Sequence, residues 1–330
     1  QSDFDKLVKT SKFSNEEIQF KKNFLNNFIK KGFPNRKQED WKFLDISQII
    51  KKNISNLSYF NDYSQSNKID PSIFVDGLEH NKIIFINGRI EKIDFNFEDQ
   101  NKIEIIDETK KDISFDYENS LIDLNSAFTD KVFKILIKKN YSLKKPLIIY
   151  HSTNDKIKST NINLRLDFEL GENSCLKLID YFSNNTAKNF INIFYNFNLE
   201  KDSILKNYKI DKFINNNLKY SFNNIEQGNN SVSETFILSA GSDYFKNEIN
   251  CNLNGEYSSA FINGIFSLKE NQQHEIRTTI NHLVENTKSY QLIKSVLGKN
   301  SKSAYQGRIF VNSKAQKTDG YQLSKAILLD

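Results

Sequence analysis

The chain has 330 residues, 38% hydrophobic and 13% aromatic, which excludes a disordered chain and allows a sizeable core. Its 46 lysines and arginines face 41 aspartates and glutamates, for a formal net charge of +5. The lysines are dispersed, with only doublets such as Lys138-Lys139 and Lys144-Lys145, the pattern of a solvated surface rather than a nucleic-acid footprint. Two cysteines, Cys175 and Cys251, exclude a disulfide framework and a C-x-x-C metal knuckle. The start, "QSDFDKLVKT", lacks an apolar signal region, and no run approaches the roughly 20 apolar residues of a membrane span. These features predict a soluble, cytoplasmic protein with neither nucleic acid nor membrane as partner. Methionine is absent, so the ends are expected to differ from those of the translated chain.

Residues 1–75 read as a helical region. Ser14 and Glu17 form an S-x-x-E capping box, after which Phe20, Phe24 and Phe28 recur at four-residue spacing with Leu25 beside them. Gly32 and Pro34 end that helix. The charged turn that follows is expected to return Trp41, the chain's one tryptophan, and Phe43 to the helix's apolar face. A short helix from Ile46 to Ile54 and a linker from Asn61 to Ser72 complete the region.

Residues 76–330 change to an alternating pattern. Asn87-Gly88 between apolar runs is a hairpin signal that can also turn a solenoid corner. Ile162, Leu164, Leu166, Phe168 and Leu170 share one face, with Asn163, Arg165, Asp167 and Glu169 on the other, expected to be solvated. Gly171 to Ser174 then turn the chain. The layout returns with Ile191 to Leu199 and a turn at Glu200 to Ser203, about 30 residues on, within the range of repeat architectures. Short strands, polar corners and only 3 prolines predict a stacked β-solenoid, with a sandwich as the alternative.

Catalytic signals are sparse. His274 and His282, with Glu275 nearby, do not have H-E-x-x-H spacing, and hydrogen-bonded polar roles are expected for them. Cys251 shares parity with Ile249 and Leu253 and reads as a buried hydrophobe, while Cys175 has no assigned role. Asp167 and Glu169 share a face where a β-helix carbohydrate-active enzyme or binding module would keep acids, though any solvated strand shows the same. No phosphate loop or nucleophile elbow occurs. The expectation is a protein that is not an enzyme.

The segment "GFPNRKQEDWKF", Gly32 to Phe43, resembles a motif of the SufB/SufD family of iron–sulfur cluster assembly proteins, in which a helix ends in G-[FL]-P-x-R-[KR]-x-E-[DN]-W-K. Gly32, Pro34, Arg36, Glu39, Asp40 and Trp41 match it and are expected to be structural. "LNSAF" (Leu124 to Phe128), "FINGIF" (Phe261 to Phe266), "SYQLIKSVL" (Ser289 to Leu297) and "AYQGRIFVNSKAQKTDGYQLSKAILL" (Ala304 to Leu329) resemble further motifs of the family in the same order. Tyr321-Gln322-Leu323 stands where the SufB branch shows Cys-Asp-Ser, which favours the SufD branch.

The resemblance implies a mainly β protein, a right-handed parallel β-helix with an N-terminal helical domain. It implies a non-catalytic scaffold subunit that pairs with SufB and with the ABC-type ATPase SufC and supports cluster assembly and iron acquisition. A homodimer is the other form considered. No catalytic, cofactor or metal residue is expected in this chain alone, the cluster being handled by the assembled complex. Two departures matter. Gln272-Gln273-His274-Glu275 stands where the family shows Gln-His-x-Asp, so no role passes to His274. The family's Cys-Ser-His-Gly stretch and C-terminal helical domain lie outside this sequence, so the C-terminal helical domain is expected to be missing. The last coil, through Ile309, Val311, Gln316, Thr318, Tyr321 and Gln322, is expected to be the dimerisation edge, because unpaired strand edges require covering.

Overall fold

The computed structural model describes residues 1–60, 69–108, 118–153, 157–182, 188–211 and 218–329. Most of the expected linker, residues 61–68, lies outside these. In the helical region, α1 (Ser2–Thr10), α2 (Asn15–Lys31) and α3 (Ile46–Asn53) form where the sequence predicts. The Ser14 hydroxyl accepts the Glu17 amide while the Glu17 carboxylate accepts the Ser14 amide, so the capping box closes in both directions. Gly32 then takes φ 69°, a left-handed value that a side chain disfavours, and α2 stops.

A fourth helix, α4 (Ser120–Phe128), lies beyond residue 75 in sequence yet packs against α2. All its residues are buried. The Asn125 amide donates to the carbonyls of Leu164 and Asn192, at 3.0 and 2.9 Å, and the Asn192 amide donates to that of Leu121 at 2.9 Å. These bonds pin α4 to sheet backbone.

The strands wind as a parallel β-solenoid, opened by a hairpin of β1 (Asn81–Ile86) and β2 (Arg89–Asp94) turned at Asn87-Gly88. Next come β3 (Ile103–Glu108), which pairs antiparallel with β4 (Val132–Ile137), and β5 (Leu147–Ser152). Successive strands then alternate between two sheets. One sheet takes β6 (Asn161–Leu170), β8 (Phe190–Leu199), β10 (Leu218–Gln227), β12 (Tyr244–Leu253), β14 (Gln273–His282) and β16 (Lys302–Val311). The other takes β7 (Cys175–Phe182), β9 (Ile204–Asp211), β11 (Val232–Ser239), β13 (Ser259–Leu268), β15 (Lys288–Leu297) and β17 (Asp319–Leu328).

Corners set the stacking. Asn140, Asn173, Asp202 and Asn230 all have φ between 55° and 58°, which Asn and Asp tolerate better than other side-chain-bearing residues. That geometry aims each amide at the same corner of the next coil: Asn140 to the Glu172 carbonyl, Asn173 to Lys201, Asp202 to Asn229 and Asn230 to Glu256, at 2.8–2.9 Å. Coils therefore stack in register. Phe168, Phe197, Ile225, Cys251, Ile280 and Ile309 form one inward ladder, which places Cys251 in the hydrophobic core as its parity predicts. A second ladder, Asn196–Asn224–Asn250, joins side-chain amides across coils at 3.0 and 2.9 Å.

Two faces differ from the alternating expectation. The outward residues Arg165 and Asp167 are buried rather than solvated, because the helical region covers that side of the sheet. On β10 the sense reverses: Leu218, Tyr220 and Phe222 point outward into the helical cluster while Lys219, Ser221 and Asn223 turn into the solenoid. The interior of the middle coils is consequently polar. Asp180 accepts from His151 at 2.7 Å, Tyr195 at 2.6 Å and Lys209 at 3.0 Å, with the Lys209 ammonium over the Tyr195 ring. Burial would raise the Asp180 pKa, but Lys209 and His151 reverse that and hold it well below the usual carboxylate range. Lys219 lies over the rings of Phe182 and Phe245, and burial pushes its pKa down to about 8. The void beside His151 is about 20 Å³, room for one water, so this cluster is a closed structural element.

All 4 histidines, His80, His151, His274 and His282, have pKa values lowered by burial. Below the unfolded value of about 6.5 the unfolded chain binds protons that the folded chain refuses, so stability falls with pH. Each excluded histidine steepens that fall toward about 1.4 kcal/mol per pH unit. Glu275, raised by burial, opposes with a single proton, and Asp180 contributes only below about pH 4. Thermal melts should therefore drop steadily in midpoint from pH 7 to pH 5; a flat profile would mean that the interior admits charged histidine.

Candidate assembly surfaces

Three places carry the expected functional residues: the motif after α2, the terminal coil, and the isolated acids, histidines and cysteines. In the motif, Glu39–Trp41 form a short 3-10 turn that presses Trp41 onto the solenoid. Its ring lies 5.4 Å from that of Tyr220, and the Lys246 ammonium sits 4.2 Å from its centroid. Lys246 is wholly buried. It pairs with Glu275 at 2.7 Å and Glu248 at 3.4 Å and donates to the Asp40 carbonyl. The Asp40 carboxylate meets Arg277 at 2.6 Å, and Arg277 reaches Glu248 at 3.6 Å. The Gln273 amide donates to the carbonyl of Phe43.

The motif thus locks the helical region to three strands, β10, β12 and β14. Trp41 is buried as expected, but its ring rests on the sheet, with the helix side contributing the rest of the same cluster. Phe43 does not return to the helix and is 42% exposed, because the chain direction set by Trp41 turns it to solvent. Gly32 ends α2, and Pro34 is buried with its carbonyl accepting from Ser47 at 3.4 Å. Arg36 is exposed, and Glu39, also exposed, pairs locally with Lys42 at 2.6 Å. Asp40 and Trp41 are therefore brought to the sheet, and Arg36 and Glu39 are left on the surface. Alternation alone does not reveal the partners Lys246, Glu248, Glu275 and Arg277, because it gives only the side of the strand on which each lies.

At the terminal coil no described strand pairs with the outer edge. Strands β16 and β17 are the last of their sheets, each paired on one side among the described residues. Ile309 and Val311 follow Ile280 and His282 in the inward register, and Gln322 follows Gln291, yet Val311 is 48% exposed because no further coil covers it. Gln316 and Thr318 lie in the connecting turn, lining with Ile309 and Val311 a wide hollow at the end of the solenoid. Tyr321 faces outward and stacks on Tyr290 at 5.1 Å. Ile327, Leu328 and Leu329 add further exposed apolar surface.

Backbone direction along this edge is defined. The amides of Asp319 and Leu329 donate to Thr287 and Leu297, so odd-numbered amides of β17 point to β15. Those of Gln322 and Ser324 alternate outward. On β16 the Lys302 and Asn312 amides point back to Gln272 and His282, which turns the Val311 amide outward.

The remaining candidates are individually satisfied. His274 meets the Ser239 hydroxyl at 2.7 Å and the Ser242 carbonyl, and His282 meets the hydroxyls of Thr287 and Ser289 at 2.7 and 2.9 Å. Glu169 pairs with Lys134 at 2.7 Å and Asp167 lies 3.5 Å from Arg165, so the two acids do not converge on a groove as glycoside chemistry requires. Burial pushes the Cys251 thiol up to about 12 and raises that of the half-buried Cys175, so neither is an activated thiolate. Among the described residues no three His, Cys, Asp or Glu side chains are grouped to hold a metal ion, and no helix is long and apolar enough to cross a membrane.

Together these features define a parallel β-solenoid with a helical region locked along one sheet. A family model described as "SUF system FeS cluster assembly, SufBD core domain" matches residues 151–330. The chain belongs to this SufB/SufD family. It is 22% identical over 294 residues to the iron–sulfur cluster assembly protein SufD of Escherichia coli (strain K12), an alignment covering 86% of this chain and 67% of that protein. The fold implied by the family resemblance, a parallel β-solenoid with an N-terminal helical region, is the one observed.

Trp41→Ala should cost about 3–5 kcal/mol, the range of large aromatic truncations. Lys246→Met, which leaves Glu275 and Glu248 without their buried cation, should cost a similar amount. Because the two side chains touch, the double variant should lose less than the sum. Denaturant titration of the four proteins measures this, and strict additivity would break the proposed lock.

Proposed function

We propose that this chain is a non-catalytic scaffold subunit of the SUF iron–sulfur assembly system, working in the cytoplasm. Its partners are a SufB-like subunit and a SufC-like ABC-type ATPase. The observation that carries the reading is the edge of the last described coil, whose outward amides and exposed apolar side chains suit strand pairing with a second solenoid. Ile309, Val311, Gln316, Thr318, Tyr321 and Gln322 form that interface. A homodimer would use the same edge. The cluster is handled by the assembled complex, and this chain alone binds no cofactor. Locked to the sheet by Asp40 and Trp41, the helical region stiffens the scaffold instead of serving as a recognition arm.

Proline substitution separates pairing from folding because the two sets of amides alternate along β17. Gln322→Pro or Ser324→Pro removes an outward donor and should weaken association at least tenfold while leaving the melting midpoint within a few degrees of the parent. Leu323→Pro removes a donor to β15 and should lower stability. Sedimentation at graded concentration and co-purification with SufB-like and SufC-like subunits measure this. A parent chain that stays monomeric and captures neither partner would overturn the assignment. Anaerobic reconstitution of the chain alone with iron and sulfide should leave no stable chromophore, since two separate, protonated thiols cannot supply a four-cysteine ligand set. A stoichiometric cluster lost on Cys175→Ser would contradict this.

A further inference from the structure

Basic residues are dispersed along the chain, but their acidic counterparts run out at the last coil. Lys299, Lys302, Arg308, Lys314, Lys317 and Lys325 stand in residues 298–330 against only Asp319 and Asp330, so this coil carries four of the five net positive charges of the whole chain. All six cations are exposed, and among the described residues none of them forms an ion pair. Earlier coils behave differently. There lysines find acids one coil away: Lys134 meets Glu169 at 2.7 Å, Lys206 meets Glu234 at 3.2 Å and Lys201 lies 4.0 Å from Glu172. Stacking in this solenoid thus joins cation to anion between neighbouring coils, and the last described coil presents the cations alone.

These cations encircle the coil. Lys299 lies in the turn before β16, and Lys314 and Lys317 lie in the turn after it. Lys302 and Arg308 have the parity opposite to inward Ile309, and Lys325 shares the outward parity of Tyr321, so all three lie on the outer faces. Lys317 also lines the hollow formed by Ile309 and Val311. It occupies the corner position with φ 55°; the corner residue of the coil before, Asn286, donates its amide to the Gln316 carbonyl at 2.9 Å. A contact between two copies about a two-fold axis sets one patch against itself. A rim of a single sign then meets its own sign in any register, which opposes both encounter and association.

We infer that this cationic rim selects what pairs at the edge: it repels a second copy of the chain and fits a solenoid coil whose turns and outer faces carry carboxylates. The inference rests on the reading of the edge as a subunit interface.

The test sets the chain against a charge-reversed version of itself, in which Lys299, Lys302, Lys314, Lys317 and Lys325 are all replaced by Glu. Sedimentation equilibrium is measured for each chain alone and for their equimolar mixture, at about 50 mM and about 0.5 M salt. At low salt the mixture should form heterodimers at least about tenfold more tightly than either chain pairs with itself, and added salt should narrow that gap. A second variant with the same five lysines replaced by Gln should self-associate at least about tenfold more tightly than the parent and respond little to salt. Melting temperatures within a few degrees of the parent confirm that the exposed substitutions leave the fold intact. Parent chains that dimerise as tightly as the mixture, or whose dimers weaken on adding salt, would overturn the selective rim while leaving the edge as an interface. Absence of association in every combination would overturn the edge and the rim together.

Discussion

The solenoid depends on hydrogen bonds between identical corners of successive coils. A residue in the left-handed region at each corner turns its amide to the carbonyl one coil further on, and this fixes the offset between coils before any side chain packs. With that offset fixed, strand register follows over ten-residue ladders without slippage, and side chains of equal parity fall into columns. Columns of Phe, Ile and Leu build the core, and columns of Asn build the amide ladder outside it. The composition of the chain, rich in Asn, is thus tied to its architecture at two distinct positions, corner and ladder.

A column need not be apolar if its polar members are matched. The middle coils bury Asp180, Lys209, Lys219 and His151, and each meets an opposite charge, a hydroxyl or an aromatic face. The same rule operates outside the sheet. There the helical region buries Lys246, Glu248 and Glu275 and half-buries Arg277, and the Asp40 carbonyl and carboxylate meet Lys246 and Arg277. Removing Lys246 leaves Glu275 buried without its counter-charge, which makes such a lock specific even where its net contribution to stability is modest.

Stacked coils leave two ends, and the chain treats them differently. At the opening end, antiparallel strands β2 and β3 close the sheets and α1 lies nearby. At the other end nothing among the described residues covers β16 and β17. The outer edge of this last described coil carries exposed Val311, Ile327 and Leu328.

Local pattern determined a good deal. Periodicity of four set α2, the S-x-x-E box its start and Gly32 its end, while alternation of period two with corners about 30 residues apart pointed to a solenoid, with a sandwich still open, and to the inward place of Cys251. The signals are local because each rests on the bonds of one turn or the parity of one strand. Tertiary structure alone decided which outward faces are covered. Arg165 and Asp167 read as solvated and Phe43 as returning to the helix's apolar face, and both readings reversed once the helical region lay on one sheet. Parity states which side of a strand a residue occupies, but whether that side meets water depends on elements more than 100 residues away, as with Asn119 against Tyr220.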